Sequence, residues 1–232
     1  MKIATWNVEK LKHLREQKAI RQHCSDADAD ILVLTETDKR LDLGNIGLYE
    51  TEQLPSRSEI VPGKTVEDRD SERRVVIYSK YTGVRSIDTY DSKSAIAIEF
   101  ETPKGNVIVY GVIIGLLGNR SSDYSKDIEH IVEDITRISK QAPMIVCGDF
   151  NCSFSDSYYY TKQGRVILQE LFDECEMSIL TADCNECIDH IVVSNILLED
   201  ASIDIREWNQ DKKLSDHKGV MVTIKESRRS AE

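Results

Sequence analysis

The chain has 232 residues, 40% of them hydrophobic and 31% charged, with only 11 Gly and 4 Pro, a balance that excludes disordered and fibrous classes and is enough to bury an extensive core. Thirty basic against 41 acidic residues give a net charge of −11, which excludes a duplex binder held by bulk positive charge. Any nucleic-acid contact has to come from a local basic patch or a bridging metal ion.

The first segment, Lys2 to Asn7, carries I-A-T-W and reads as a strand that ends on polar residues. Residues 11–24 have the pattern of a polar amphipathic helix, and residues 31–34 form a buried strand running into Thr35, Glu36 and Thr37. Residues 55–73 have mixed charge, two prolines and few apolar side chains, and read as a long surface loop. Its basic groups Arg57, Lys64, Arg69 and Arg73, with Arg74 next, are candidates to meet phosphates. Strands are expected at 75–79, 94–101 and 106–114, with a turn at 102–105 joining the last two. Residues 125–140 place Ile128, Ile131, Val132, Ile135 and Ile138 on one helical stripe, and a second helix is expected at 164–174. Late strands are expected at 188–193, 201–206 and 219–224. No repeat or linker divides the chain, so one domain over 1–225 with a polar tail at 226–232 is expected. Strands outnumber helices and many are adjacent, which suits two mixed sheets packed face to face with helices outside.

The stretch 143–151, P-M-I-V-C-G-D-F-N, organises the rest. Four apolar residues form a strand buried on both faces, and Gly148 lets the backbone turn. Asp149 and Asn151 then place a carboxylate and a carboxamide at the strand mouth, pointing the same way if the segment stays extended. Such a pair either serves chemistry or caps the strand as an Asx turn. Other strand ends carry matching groups: Asn7, Glu36, Asp189 with His190, and Asp216 with His217. Glu36 and Asp216 are hard oxygen donors suited to magnesium. A charged His217, held by a carboxylate such as Asp189, suits a developing phosphate oxyanion. These are the parts of metal-assisted attack of water on a phosphoryl centre.

The six cysteines do not suggest a disulfide scaffold, and Cys184 and Cys187 form one isolated C-x-x-C pair, short of a zinc ligand set. The longest apolar runs, such as 107–114, are too short for a membrane helix, and the N-terminal residues lack a signal-peptide core. A cytoplasmic location is expected.

The motifs T-W-N (5–7), L-T-E-T (34–37), G-D-F-N (148–151), I-D-H-I (188–191) and S-D-H-K-G-V (215–220) resemble, in order, those of the endonuclease/exonuclease/phosphatase superfamily, the DNase I-like fold. V-V-I-Y-S-K-Y (75–81) is similar to a further family strand. The resemblance implies an α/β fold, a four-layered sandwich of two central sheets flanked by helices. It implies Mg2+, with Mn2+ as a substitute, at Glu36 and Asp216 with Asn7 beside them. Asp149 is then expected to align the attacking water, Asn151 to donate to a phosphate oxygen, and His217, oriented by Asp189, to stabilise the transition state. Asn7, Arg73, Arg74 and Lys212 are expected substrate contacts.

One departure stands out. Where members carry a polar residue after the central strand, this chain has Y-G-V-I-I-G (110–115), with Ile113 at the expected place and Tyr110 or Arg120 as stand-ins. Cys187 stands where a basic residue is expected. Among the aromatics, Tyr158, Tyr159 and Tyr160 are candidates to stack on bases, while Trp208 and His190 read as packing residues and His13, His23 and His130 as surface ones. The expected activity is a metal-dependent phosphodiesterase, foremost a nuclease on DNA or RNA. The alternatives are a phosphomonoesterase on a small phosphorylated metabolite or inositol phosphate, and a catalytically weak member that binds phosphate ligands or a protein. The sequence leaves the oligomeric state open.

Overall fold

The computed structural model describes residues 1–11, 16–44, 46–53, 59–61, 64–66, 71–115, 119, 122–159 and 161–226, the side chains of 59–61, 64–66 and 122–123 excepted. His13, Arg57, Arg69, Arg120, Tyr160 and the tail beyond Glu226 lie outside the described residues, as does the side chain of Lys64.

Continuous apolar runs mark strands covered on both faces, and here they build two six-stranded sheets. The first has the order β13 (Ala201–Trp208), β14 (Gly219–Glu226), β1 (Lys2–Asn7), β2 (Ile31–Asp38), β6 (Glu72–Ser79), β3 (Gly47–Glu50). The second runs β11 (Met177–Ile179), β12 (Asp189–Ser194), β10 (Met144–Asp149), β9 (Gly105–Ile113), β8 (Ala95–Thr102), β7 (Thr82–Ile87). Each sheet is mixed: β1 pairs parallel with β2, β10 parallel with β9, and the other pairs are antiparallel.

The sheets bury a shared layer that includes Ile3, Val33, Ile77, Val109, Ile145 and Ile191. The outer face of the second sheet is covered by α2 (Ser122–Ile138) and α3 (Lys162–Glu174), whose Ile128, Ile131, Ile135 and Leu168 pack on Tyr110 and Val146. The first sheet packs Ala4, Trp6, Leu32 and Leu34 against α1 (Gln17–Asp26) through Ile20 and Cys24. This is the four-layered α/β sandwich, and the apolar stripe of α2 falls where its period places it.

The differences are local. The first helix starts at Gln17 rather than near residue 11, because residues Glu9 to Leu11 form a turn with positive φ that buries Leu11. Strands β3, β7 and β11 go beyond the sequence expectation; they are short or half-exposed edges without an apolar run to announce them. The stretch expected as one loop contains a two-stranded hairpin, β4 (Glu59–Val61) with β5 (Lys64–Val66). Parallel pairing of β1 with β2 brings Asn7 beside Thr35, and antiparallel pairing of β10 with β12 brings Asp149 beside Asp189. One end of the sandwich thereby gathers the polar strand termini.

Candidate active site

The site begins at Gly148, whose φ of 140° and a virtual Cβ only 1.9 Å from the Val112 carbonyl oxygen leave room for glycine alone. That close approach sets Asp149, 2% exposed, at the strand mouth. The chain then coils rather than staying extended, with Asn151 at φ 48°. Its backbone N–H donates to Asp149 Oδ1 at 2.8 Å, an Asx turn built into the site. The Asn151 amide donates to the carbonyls of Ile114 at 2.8 Å and Gly115 at 3.3 Å and reaches Asp149 Oδ2 at 3.4 Å, so its N–H groups are engaged within the chain.

Asn7 joins the two sheets. Its Oδ1 accepts from the Glu9 N–H at 2.9 Å, which turns its Nδ2 toward Asp149 Oδ2 at 3.0 Å and Glu36 Oε1 at 3.3 Å. The ligand role expected of Asn7 needs its oxygen, and here that oxygen is bonded to Glu9. Glu36 has φ 44°, a left-handed backbone uncommon for a non-glycine residue and of the kind that gathers at functional sites.

His217 closes the site from the loop before β14. Its Nδ1 meets Asp189 Oδ2 at 2.6 Å, and its Nε2 lies 4.0 Å from Asp149 Oδ2 and 3.7 Å from Asp216 Oδ1. Burial alone lowers the histidine pKa, but the charges of Asp189, Asp149 and Asp216 overcome it and raise it to about 10. Burial pushes the Asp149 carboxyl above its usual range, against the pull of His217. The backbone of His217 is fixed as firmly as its ring: Trp6 Nε1 and Asn209 Nδ2 donate to its carbonyl at 3.0 and 2.7 Å, and its N–H reaches Ser215 Oγ at 3.2 Å. Ser215 Oγ in turn donates to the Asn7 carbonyl at 2.6 Å, tying this loop to β1.

Asp149, Asp189 and His217 bring ligand atoms within 4.8 Å of one another, the one such group among the described residues. A protonated His217 repels a cation, so a metal fits better on the Glu36 side, where Asn7 Nδ2 faces the carboxylates of both Glu36 and Asp149. The hard carboxylate oxygens of Glu36 and Asp149 suit a divalent cation, and on the His217 side the buried Asp189 Oδ1 has no hydrogen-bond partner among the described residues.

Other expected residues lie elsewhere. Tyr110 is fully buried on the helix-covered face, donating to Asp134 Oδ2 of α2 at 3.0 Å, so the structure does not bring it to this cluster. Ile113 lies in the layer between the sheets and cannot mark an open subsite. Arg73 is buried against Glu50 at 3.3 Å, and Arg74 against Ser94 at 2.5 Å. Lys212 stacks 3.8 Å above the Tyr158 ring and pairs with Glu186 at 3.4 Å. His190 is buried and neutral, its pKa lowered by burial to about 4, between Thr181 Oγ1 and the Cys152 carbonyl. The Cys187 thiol donates to the Asp189 carbonyl at 3.0 Å, and burial keeps it protonated. Trp6, Asn209, Ser215 and Asn119, whose amide donates to the Asn151 carbonyl at 3.0 Å, support the site and were not singled out from the sequence. Ser215 sits in the quoted S-D-H motif, which was the available signal; Asn119 follows an apolar run and had none.

A family model described as "Endonuclease/Exonuclease/phosphatase family" matches residues 4–217. The chain belongs to the endonuclease/exonuclease/phosphatase family. Members of this family are phosphoester-cleaving hydrolases that depend on divalent metal. A 3′–5′ exonuclease from Neisseria meningitidis superposes with a TM-score of 0.70 at 18% identity, covering 97% of this chain and 100% of that one. An AP endonuclease from Archaeoglobus fulgidus does so with a TM-score of 0.68 at 13% identity, covering 97% and 99%. A 3′ phosphatase from Neisseria bound to a product DNA hairpin gives 0.65 at 19% identity, covering 97% and 99%. At these identities the likeness establishes the shared fold. No curated protein sequence matches the chain. No helix among the described residues is long and apolar enough to cross a membrane.

Proposed function

We propose that this family member is a magnesium-dependent phosphodiesterase, foremost a nuclease acting on DNA or RNA. The observation that carries the reading is the facing of Asp149 and His217 across 4.0 Å, with His217 held by Asp189 at 2.6 Å. That gap is too long for a direct hydrogen bond. An oxygen seated beside it meets an acceptor on Asp149 and a donor on His217. Asp149 aligns the attacking water and draws its proton, while the imidazolium of His217 faces the charge growing on the phosphoryl oxygens. Asp189 fixes the ring with Nδ1 protonated and Nε2 turned to substrate. Asn7 orients the carboxylates of Glu36 and Asp149, and Asn151 holds the turn that aims Asp149. A divalent cation at Glu36 and Asp216 would polarise the phosphoryl oxygens and offset their negative charge.

The net charge of −11 favours a small or single-stranded substrate over long duplex. The phosphatase among the structural neighbours supports phosphomonoester hydrolysis as a second reading. The deciding experiment offers single- and double-stranded DNA, RNA, abasic duplex and small phosphoesters with magnesium, manganese or chelator. Cleavage that needs the cation and prefers a diester is expected; undiminished turnover in excess chelator overturns the metal-hydrolase reading.

A further inference from the structure

Four edges bound the two large sheets, and three of them are blunted. β3 has 4 residues, β11 has 3, and β7 is interrupted by a register shift between Gly83 and Arg85. Short strands and bulges are devices that keep an edge from pairing with another chain. β13 has neither. It runs unbroken for 8 residues, A-S-I-D-I-R-E-W, without Gly, Pro or Lys, and among the described residues it pairs on one side only, with β14. Ser202, Ile203, Asp204, Ile205 and Arg206 are all exposed, so neither face of the strand is covered over this segment.

The register with β14 assigns those faces. Ile203 and Ile205 lie opposite Ile224 and Val222, members of the layer between the sheets, and extend it outward at 38% and 41% exposure. Asp204 and Arg206 lie opposite Thr223 and Met221, on the other face. Two opposite charges two residues apart on one edge are complementary to their own antiparallel image.

We propose that β13 is a homodimer interface: two copies of this chain join β13 to β13, antiparallel, about a two-fold axis at Ile205. In this register Asp204 of each copy faces Arg206 of the other, and Ile205 faces Ile205. Moving the axis to Asp204 sets aspartate against aspartate, and moving it to Arg206 sets arginine against arginine. A slip by one residue puts the isoleucines among the charges. Charge pairing therefore selects the axis at Ile205, a register that also sets Ile203 opposite Glu207 of the other copy. The contact is a single strand pair between copies that each carry −11, so the dimer is weak and reversible.

Sedimentation equilibrium of the full chain over about 1 to 500 μM tests this, a span chosen for a weak dimer. A monomer–dimer equilibrium is expected. Asp204→Arg alone and Arg206→Asp alone should each raise the dissociation constant at least about 10-fold, because each opposes like charges at both pairs. The double swap should return it to within about 3-fold of the unmodified chain, since the pairs are restored with signs exchanged. Thermal unfolding of each variant should match the unmodified chain, as the side chains are exposed. A monomer throughout, a dimer indifferent to the single swaps, or a double swap that fails to restore association overturns the proposal.

Discussion

His217 and Asp189 are one unit in physical terms: the short Nδ1 contact holds both the ring and its charge. Asp189→Asn and His217→Ala are each expected to lower turnover by at least ~10²-fold, and the double variant should lose little more than either single one. Turnover that falls by the product of the two effects would mean they act separately. The same contact makes a stability statement. The His217 pKa lies at about 10, above its ordinary 6.5, so its charged form favours the folded state. That contribution is complete below the unfolded value and disappears as pH rises through the folded one. Relative to His217→Gln, the unmodified protein should have its full stability advantage at pH 6, lose it progressively between about 6.5 and 10, and have none above. Urea unfolding at several pH values, without added metal, measures this; an advantage that grows with pH would reverse the sign and exclude a charged His217.

Strand β9 shows how an element can place a residue where its motif position does not. Residue spacing sets Ile113 at the family's polar position, but in the pleat its side chain points between the sheets, into the apolar layer that also holds Val109 and Ile145. Ile113→His should therefore destabilise the fold by at least about 2 kcal/mol, the cost of a polar ring in an apolar layer, without raising activity on any phosphodiester. Thermal unfolding measured beside turnover decides it: a stable variant with higher turnover would show the position to be an open subsite. The polar support at this corner comes from Asn119, on the segment after β9, through the Asn151 carbonyl.

For the whole molecule, the proposed cation would bring positive charge to the end of the sandwich where Glu36 and Asp149 converge. Millimolar magnesium should raise the unfolding temperature, with a shift that grows with ligand concentration, because the folded state alone assembles the ligands. Glu36→Gln should remove most of that shift while keeping the fold, and an equal shift in both proteins would place the cation elsewhere. The strand cores, two packed mixed sheets and the candidate groups Glu36, Asp149, Asp189 and His217 were legible in the sequence, since apolar periodicity and polar residues at strand ends are local signals, while the four-layered class was implied by the resemblance of the motifs. The edge strands β3, β7 and β11 were not, because they are short or lack an apolar run and form against neighbours distant in the chain. Tertiary structure alone decided which candidates meet. It turned the Asn7 amide toward two carboxylates, sent Tyr110 to Asp134 on α2, and bound the His217 loop to β1 through Ser215. The physical reason is that local pattern determines what each strand buries, whereas pairing between sheets, through contacts such as Asn7 to Asp149 across 142 positions of sequence, determines which polar ends share one low-dielectric site.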